Sequence, residues 1–115
     1  MNVPANNKFL YFSSGDGVNA TGEAAIYPVS AFRGADCAGA AAIDLFFTPQ
    51  QITTVATSDD TDTIRLTITS GKMSEVLEAL ANEIAFGNNT VIKVDADNSV
   101  FFNSDVTDCV ITLAA

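Results

Sequence analysis

The chain has 115 residues, 48% of them hydrophobic, and its 14 acidic residues against 5 basic ones give a net charge of -9. A chain of this length buries roughly two thirds of the surface its unfolded form exposes, so one α+β domain over residues 1–115 needs no disulfide or metal to stay folded. The five cations (Lys8, Arg33, Arg65, Lys72 and Lys93) are scattered and no run of about 18 apolar residues occurs, which argues against nucleic-acid and membrane partners. The start MNVPANNKF lacks the basic and apolar regions of a signal peptide, so maturation in a cytosol is expected.

In chain order, KFLYFS (8–13) and EAAIYPVS (23–30) have strand character, and the glycine-rich FSSGDGVNATGE between them supplies a long hairpin connection. In ADCAGAAAID, alanine favours helix, but Gly34 and Gly39 interrupt it, so the segment is expected to be loop leading into a strand over 40–47. The acidic, hydroxyl-rich TTVATSDDTDT (53–63) is expected to be a connector that packs no core. TIRLTIT (63–69) alternates strictly, with Ile64, Leu66 and Ile68 on one face, which predicts a half-buried strand.

Met73, Val76, Leu77, Leu80 and Ile84 recur at helical spacing within residues 71–86 and predict one amphipathic helix, with Ser70 as N-cap and Gly87 as stop. Phe86 falls off the apolar stripe, so it must fold back or be covered by another chain. Beyond the helix, TVIKV (90–94) and SVFFN (99–103) flank the turn-forming Asp95-Ala96-Asp97-Asn98 and predict a hairpin. CVITL (109–113) is the last strand, with Cys109, Ile111 and Leu113 inward. The order β-β-β-β-α-β-β-β describes a mainly antiparallel β-sheet with one helix on one face. One helix cannot cover so many strands, so the remaining area must be a second sheet layer, a solvated face rich in threonine and charge, or an oligomer interface.

The chain contains no histidine, which removes the Ser-His-Asp, Cys-His and histidine-metal classes of catalysis. Cys37 and Cys109 lack zinc spacing and are expected to be small buried hydrophobes. The acidic groups Asp59/Asp60/Asp62, Asp95/Asp97 and Asp105/Asp108 fit no EF-hand pattern and are expected to be solvated turns. Ser70-Gly71-Lys72 sits where a phosphate loop would, but Leu66 stands at the first glycine position and Met73 at the Ser/Thr position. Gly15, Gly17 and Gly22 have the wrong spacing for a dinucleotide fingerprint. No catalytic, cofactor-binding or metal residue is assigned, and no enzymatic activity is expected.

Two stretches, FLYFSSGDGVNATGEAAIYPVSAF and TIRLTITSGKMSEVLEAL, carry a resemblance over most of the chain. Tyr11-Phe12 before the Ser14-Gly15-Asp16-Gly17 turn, the Asn19-Ala20-Thr21-Gly22 turn, Tyr27-Pro28 with Ser30 and Phe32, and Ser70-Gly71-Lys72 followed by Glu75-Val76 are its recognisable parts. In these the chain resembles the short virion structural proteins of marine tailed phages, chiefly the T4-like phages of cyanobacteria. The resemblance implies a minor capsid, decoration or tail-associated component, assembled in the host cytoplasm and acting beside other phage structural proteins. It would work as a homo-oligomer, a dimer or trimer. Subunit contacts are expected at Phe86, at the hairpin of 90–94 and 99–103, or on a sheet face bearing Arg65 and Lys93. A small binding module for a host protein or a glycan is the alternative.

Overall fold

Alternation of apolar and polar residues builds strands with one dry face, and two sets of such strands close on each other here. The computed structural model describes residues 8–14, 24–49, 61–87 and 89–112. Its strands are β1 (Phe9–Ser13), β2 (Ala24–Pro28), β3 (Phe32–Gly39), β4 (Ala42–Phe47), β5 (Asp62–Ile68), β6 (Val91–Asp95), β7 (Val100–Phe101) and β8 (Val106–Thr112), with one helix, α1 (Met73–Phe86), between β5 and β6. The first sheet has the order β2-β1-β6-β7 and the second β3-β4-β5-β8. All pairings are antiparallel except β1 with β6, whose parallel register sets Phe9 beside Val91 and Phe12 beside Val94.

The α+β class and the order of seven strands around one helix hold, but two expectations are corrected. The strands form two sheets rather than one, so a second sheet layer covers much of the area that α1 leaves open. Moreover, the segment expected to be loop before residue 40 belongs to an additional strand, β3. No alternation announced β3, because Arg33 and residues 35–39 are all exposed and no buried stripe constrains them. Its pairing with β4 shifts register between Phe32 and Gly34 and again between Cys37 and Gly39. Backbone pairing, not apolar patterning, makes it a strand.

The two inner faces and the helix share one core. Leu10, Phe12, Tyr27, Ile92 and Val94 come from the first sheet, Ile43, Leu45, Phe47, Ile64, Leu66, Cys109 and Ile111 from the second, and Val76 and Leu80 from α1. The Tyr27 ring stacks on Phe47 with centroids 4.3 Å apart, and Phe12 meets Phe47 edge-on at 5.7 Å. Such pairs add about 0.5–1.5 kcal/mol beyond the area they bury. Tyr27 also donates its hydroxyl proton to Asp62 Oδ2 at 2.7 Å, which links β2 of one sheet to β5 of the other. Burial first, and then the Asp62 carboxylate, raise the Tyr27 phenol above its ordinary range, so the hydroxyl stays a donor. Asp62 is therefore a buried strand residue rather than part of a solvated acidic connector. Asp59, Asp60 and most of that connector lie outside the described residues, as do Leu113 and the glycine-rich stretch 15–23.

Gly71, at φ +84°, turns the chain before the helix, so α1 begins at Met73 and its N-cap position falls to Lys72, without a side-chain cap. Ser70 is thereby displaced from the capping place its residue type suggested. At the other end the chain leaves in an extended conformation at Gly87, where a Cβ would lie 2.8 Å from the Glu83 carbonyl oxygen. The stop at Gly87 is thus set by close approach rather than by a left-handed turn. Lys8 completes this end: fully buried, it donates Nζ hydrogens to the carbonyls of Glu83, of Ile84 at 3.0 Å and of Gly87 at 2.9 Å. A cation at a helix C-terminus meets both the orphan carbonyls and the negative end of the dipole.

Two stability predictions follow the burial pattern. Leu80→Ala should cost about 2–5 kcal/mol in urea unfolding, and Leu77→Ala less, since Leu80 is buried and Leu77 only half-buried. Lys8→Met should cost on the order of 3 kcal/mol because the three carbonyls lose their donor, with hydrogen exchange accelerating first in the last turn of α1.

Candidate functional site

Buried reactive groups come first, because chemistry requires them to have capacity to spare. Among the described residues, every buried side-chain nitrogen or oxygen has a hydrogen-bond partner. Lys8 is committed to the helix end, and Asp62 accepts from Tyr27. Asp95 accepts from the backbone N–H of Asn98 at 3.2 Å and from its Nδ2 at 3.0 Å, closing the β6–β7 turn. It is a buried turn-closing residue, not a solvated one. No group of three or more Cys, Asp or Glu side chains among the described residues is placed to hold a metal ion.

The two cysteines differ. Cys109 is buried in β8 and its Sγ–H points at the Ser13 carbonyl, 3.3 Å away in the other sheet. Burial, reinforced by the negative charges of Asp108 and Asp95, pushes its thiol up to about 11 against the relief that the Ser13 contact gives. Cys37 is exposed on β3, which corrects the expectation that both are buried: it lies in a strand at the end of the described sheet order, whose residues 35–39 are all exposed.

The outer faces of the two sheets differ in their share of charged and hydroxyl side chains. On the second sheet, β5 pairs Arg65 with Asp44 of β4, with Nε to Oδ1 at 2.8 Å and a nitrogen of the same guanidinium to Oδ2 at 3.1 Å. Thr63, Thr67, Asp108 and Thr112 share that face with Val110, the exposed register partner of Arg65, and with the half-buried Phe46. On the first sheet, Leu10, Phe12, Tyr27, Ile92 and Val94 point inward, so their neighbours Phe9, Tyr11, Ile26, Pro28, Val91 and Lys93 point out. The register makes two rows across three strands: Pro28, Phe9 and Val91, then Ile26, Tyr11 and Lys93. Phe9 is 40% exposed and Ile26 47%. This is a contiguous apolar face with Lys93 as the one charged side chain in its two rows.

The structure separates the expected contact residues. Arg65 and Lys93 stand on the outer faces of different sheets, so no single sheet face carries both; the alternation that turns each outward says nothing of which sheet it joins. Phe86, 68% exposed, ends α1 between the Ile84 and Gly87 carbonyls that Lys8 holds. Phe9, adjacent to Lys8, is brought to that same end of the molecule. The hairpin of 90–94 and 99–103 is present as β6 and β7, though β7 is reduced to Val100–Phe101. The outward row of β1 and β2 was not singled out in the sequence, although the alternation in FLYFS and AAIYP contains it.

Two concavities of the described surface bear on binding. One, of about 330 Å³, is lined by Glu83, Asn89, Lys93, Val100, Phe101 and Phe102. The other lies between α1 and β3. No described helix is long and apolar enough to cross a membrane. Comparison with protein-family models, with curated proteins and with solved structures found no match.

The thiols provide a direct check on this placement. At pH 8, a disulfide reagent should titrate one thiol per native chain, Cys37, and two after unfolding, because Cys109 is held both buried and protonated. Two fast thiols in the native chain would mean that β8 does not close against β1.

Proposed function

We propose that this chain is a non-enzymatic virion structural protein of the tailed-phage kind its sequence resembles, acting through contacts between copies of itself and with neighbouring particle proteins. It would serve as a minor capsid, decoration or tail-associated component. The apolar outer face of the first sheet carries the reading. Phe9, Ile26 and Pro28 are exposed and Tyr11 and Val91 half-buried in rows across three strands of a chain whose net charge is -9. Acidic chains repel one another, so self-association needs an apolar contact that outweighs the repulsion. This face supplies one in rows continuous across three strands, whereas on the second sheet the apolar Val110 and Phe46 are interspersed with threonines and the Arg65–Asp44 pair.

A dimer or trimer built on that face buries Phe9 and Tyr11 of the central strand, with the exposed Ile26 beside them on β2. The test is sedimentation velocity across the micromolar range: the parent chain is expected to run as a dimer or trimer. Ile26→Lys should weaken association at least about tenfold, equivalent to about 1.4 kcal/mol, without changing the thermal unfolding of the monomer unit. A parent chain that stays monomeric throughout would remove the oligomer reading. Mass spectrometry and immunogold labelling of purified virions test the particle assignment separately.

The 330 Å³ groove favours a second reading, a binding module for a host protein or a glycan, since aromatic Phe101 and Phe102 adjoin the polar Glu83, Asn89 and Lys93 there. A glycan array and a host-lysate pull-down, each compared with Lys93→Ala, separate it from the first.

A further inference from the structure

Strand β8 ends the described order of the second sheet, with β5 on one side of it and, among the described residues, no sheet partner on the other. The register identifies the backbone groups along that outer side. The Ile68 N–H donates to the Ala41 carbonyl at 2.9 Å, so Ile68, Leu66 and Ile64 turn their backbone groups toward β4, and Thr67, Arg65 and Thr63 turn theirs toward β8. Asp108, Val110 and Thr112, opposite those three, face back to β5. The N–H and C=O groups of Cys109 and Ile111 therefore lie in the sheet plane and point away from β5.

A strand of this composition invites another. Val106–Thr112 reads VTDCVIT, in which five of the seven residues are β-branched, neither glycine nor proline occurs, and Asp108 is the one charged side chain. Val110, 53% exposed, adds an apolar side chain to the same strand. Such an edge pairs with a second chain unless its backbone groups are occupied or blunted.

Asp108 occupies one of them. Its Oδ1 accepts the Cys109 N–H at 2.8 Å, and that N–H is the outward donor at the middle of the strand. The same local bond recurs on β3, at the opposite end of the described order, where the Cys37 N–H donates to Asp36 Oδ1 at 2.8 Å. On the inner strand β4 the next N–H, that of Leu45, belongs to the ladder with β5, and Asp44 accepts from the Arg65 guanidinium instead.

We propose that Asp108 closes the β8 edge to a second copy of this chain by holding the Cys109 N–H, the donor through which an added strand would dock at the centre of β8. An incoming strand must offer a carbonyl oxygen to that N–H, and the carboxylate oxygen already stands in its place. Contact between copies is thereby directed away from this edge and left to side-chain faces. The proposal does not rest on the virion reading.

The experiment compares full-length Asp108→Ala with Asp108→Asn. Both carry Ile26→Lys, which removes the contact through the first sheet, and both are kept in reductant so that Cys37 forms no disulfide between copies. The two variants have equal charge, but only asparagine retains an oxygen where Oδ1 stood. In sedimentation velocity the alanine variant should associate at a concentration at least about tenfold lower than the asparagine variant. Equal association of the two would assign the effect to lost charge and overturn the proposal, as would an alanine variant that stays monomeric wherever the asparagine variant does. Amide exchange by NMR locates the contact: in the alanine variant, exchange of the Ile111 N–H should slow at least about tenfold between dilute and associated samples. Association without that slowing would place the contact elsewhere and defeat the proposal as well.

Discussion

The architecture depends on a buried cation at a helix end. Lys8 lies entirely out of solvent beneath the last turn of α1, and the groups around its ammonium are backbone carbonyls at the negative end of the helix dipole. An ammonium withdrawn from water is costly unless its donors are all used, and three acceptors use them here. Because Lys8 immediately precedes β1, its reach to α1 fixes the start of that strand to the end of the helix. Because β6 begins at Val91, a few residues past Gly87, the same contact sets the one parallel register among the described strands, Phe9 beside Val91. The N–H of Phe9 donates to the Thr90 carbonyl at 2.9 Å and locks that start. One side chain thus couples helix position to sheet register.

The two sheets are held to each other by different means. Apolar burial is non-directional and tolerates sliding, whereas the Tyr27–Asp62 bond and the Cys109–Ser13 contact each join a particular residue of one sheet to a particular residue of the other. The stacked Tyr27 and Phe47 rings restrict the same interface further. Buried polar groups that would stand out as chemistry in the sequence are here the devices that choose one packing among several.

What the sequence revealed follows from which signals are local. The TIRLTIT alternation, the apolar stripe of α1 and the turn chemistry at Asp95–Asn98 are set by neighbours in the chain, and each element appears within a residue or two of its expected bounds. Sheet membership is not local: Arg65 and Lys93 both stand outward on alternating strands, yet one is in each sheet. Strand β3 escaped because an exposed edge strand has no burial to imprint a period. Cys37 was misplaced with it. Asp62 was grouped with its acidic neighbours, since nothing within ten residues announces that Tyr27 will meet it from 35 positions away. The candidate interface was half legible, in that surplus sheet surface and a stray Phe86 were evident while the apolar rows of β1 and β2 were not.

The surplus surface resolves into three parts, one for each physical solution available to it. The inner faces are covered by each other and by α1. On the outer face of the second sheet, threonines and the Arg65–Asp44 pair separate the apolar Val110 and Phe46, so no continuous apolar row forms there. The outer face of the first sheet has neither remedy: Phe9, Tyr11, Ile26 and Val91 face outward with Lys93 as the single charge in their two rows. Scattered exposed apolar residues are ordinary on any surface, but rows continuous across three hydrogen-bonded strands form a patch, and patches of that kind mark places where another molecule sits. The exposed Phe86 is held by a different contact: it ends the helix that Lys8 caps from the inner side of β1, whereas Phe9 points outward.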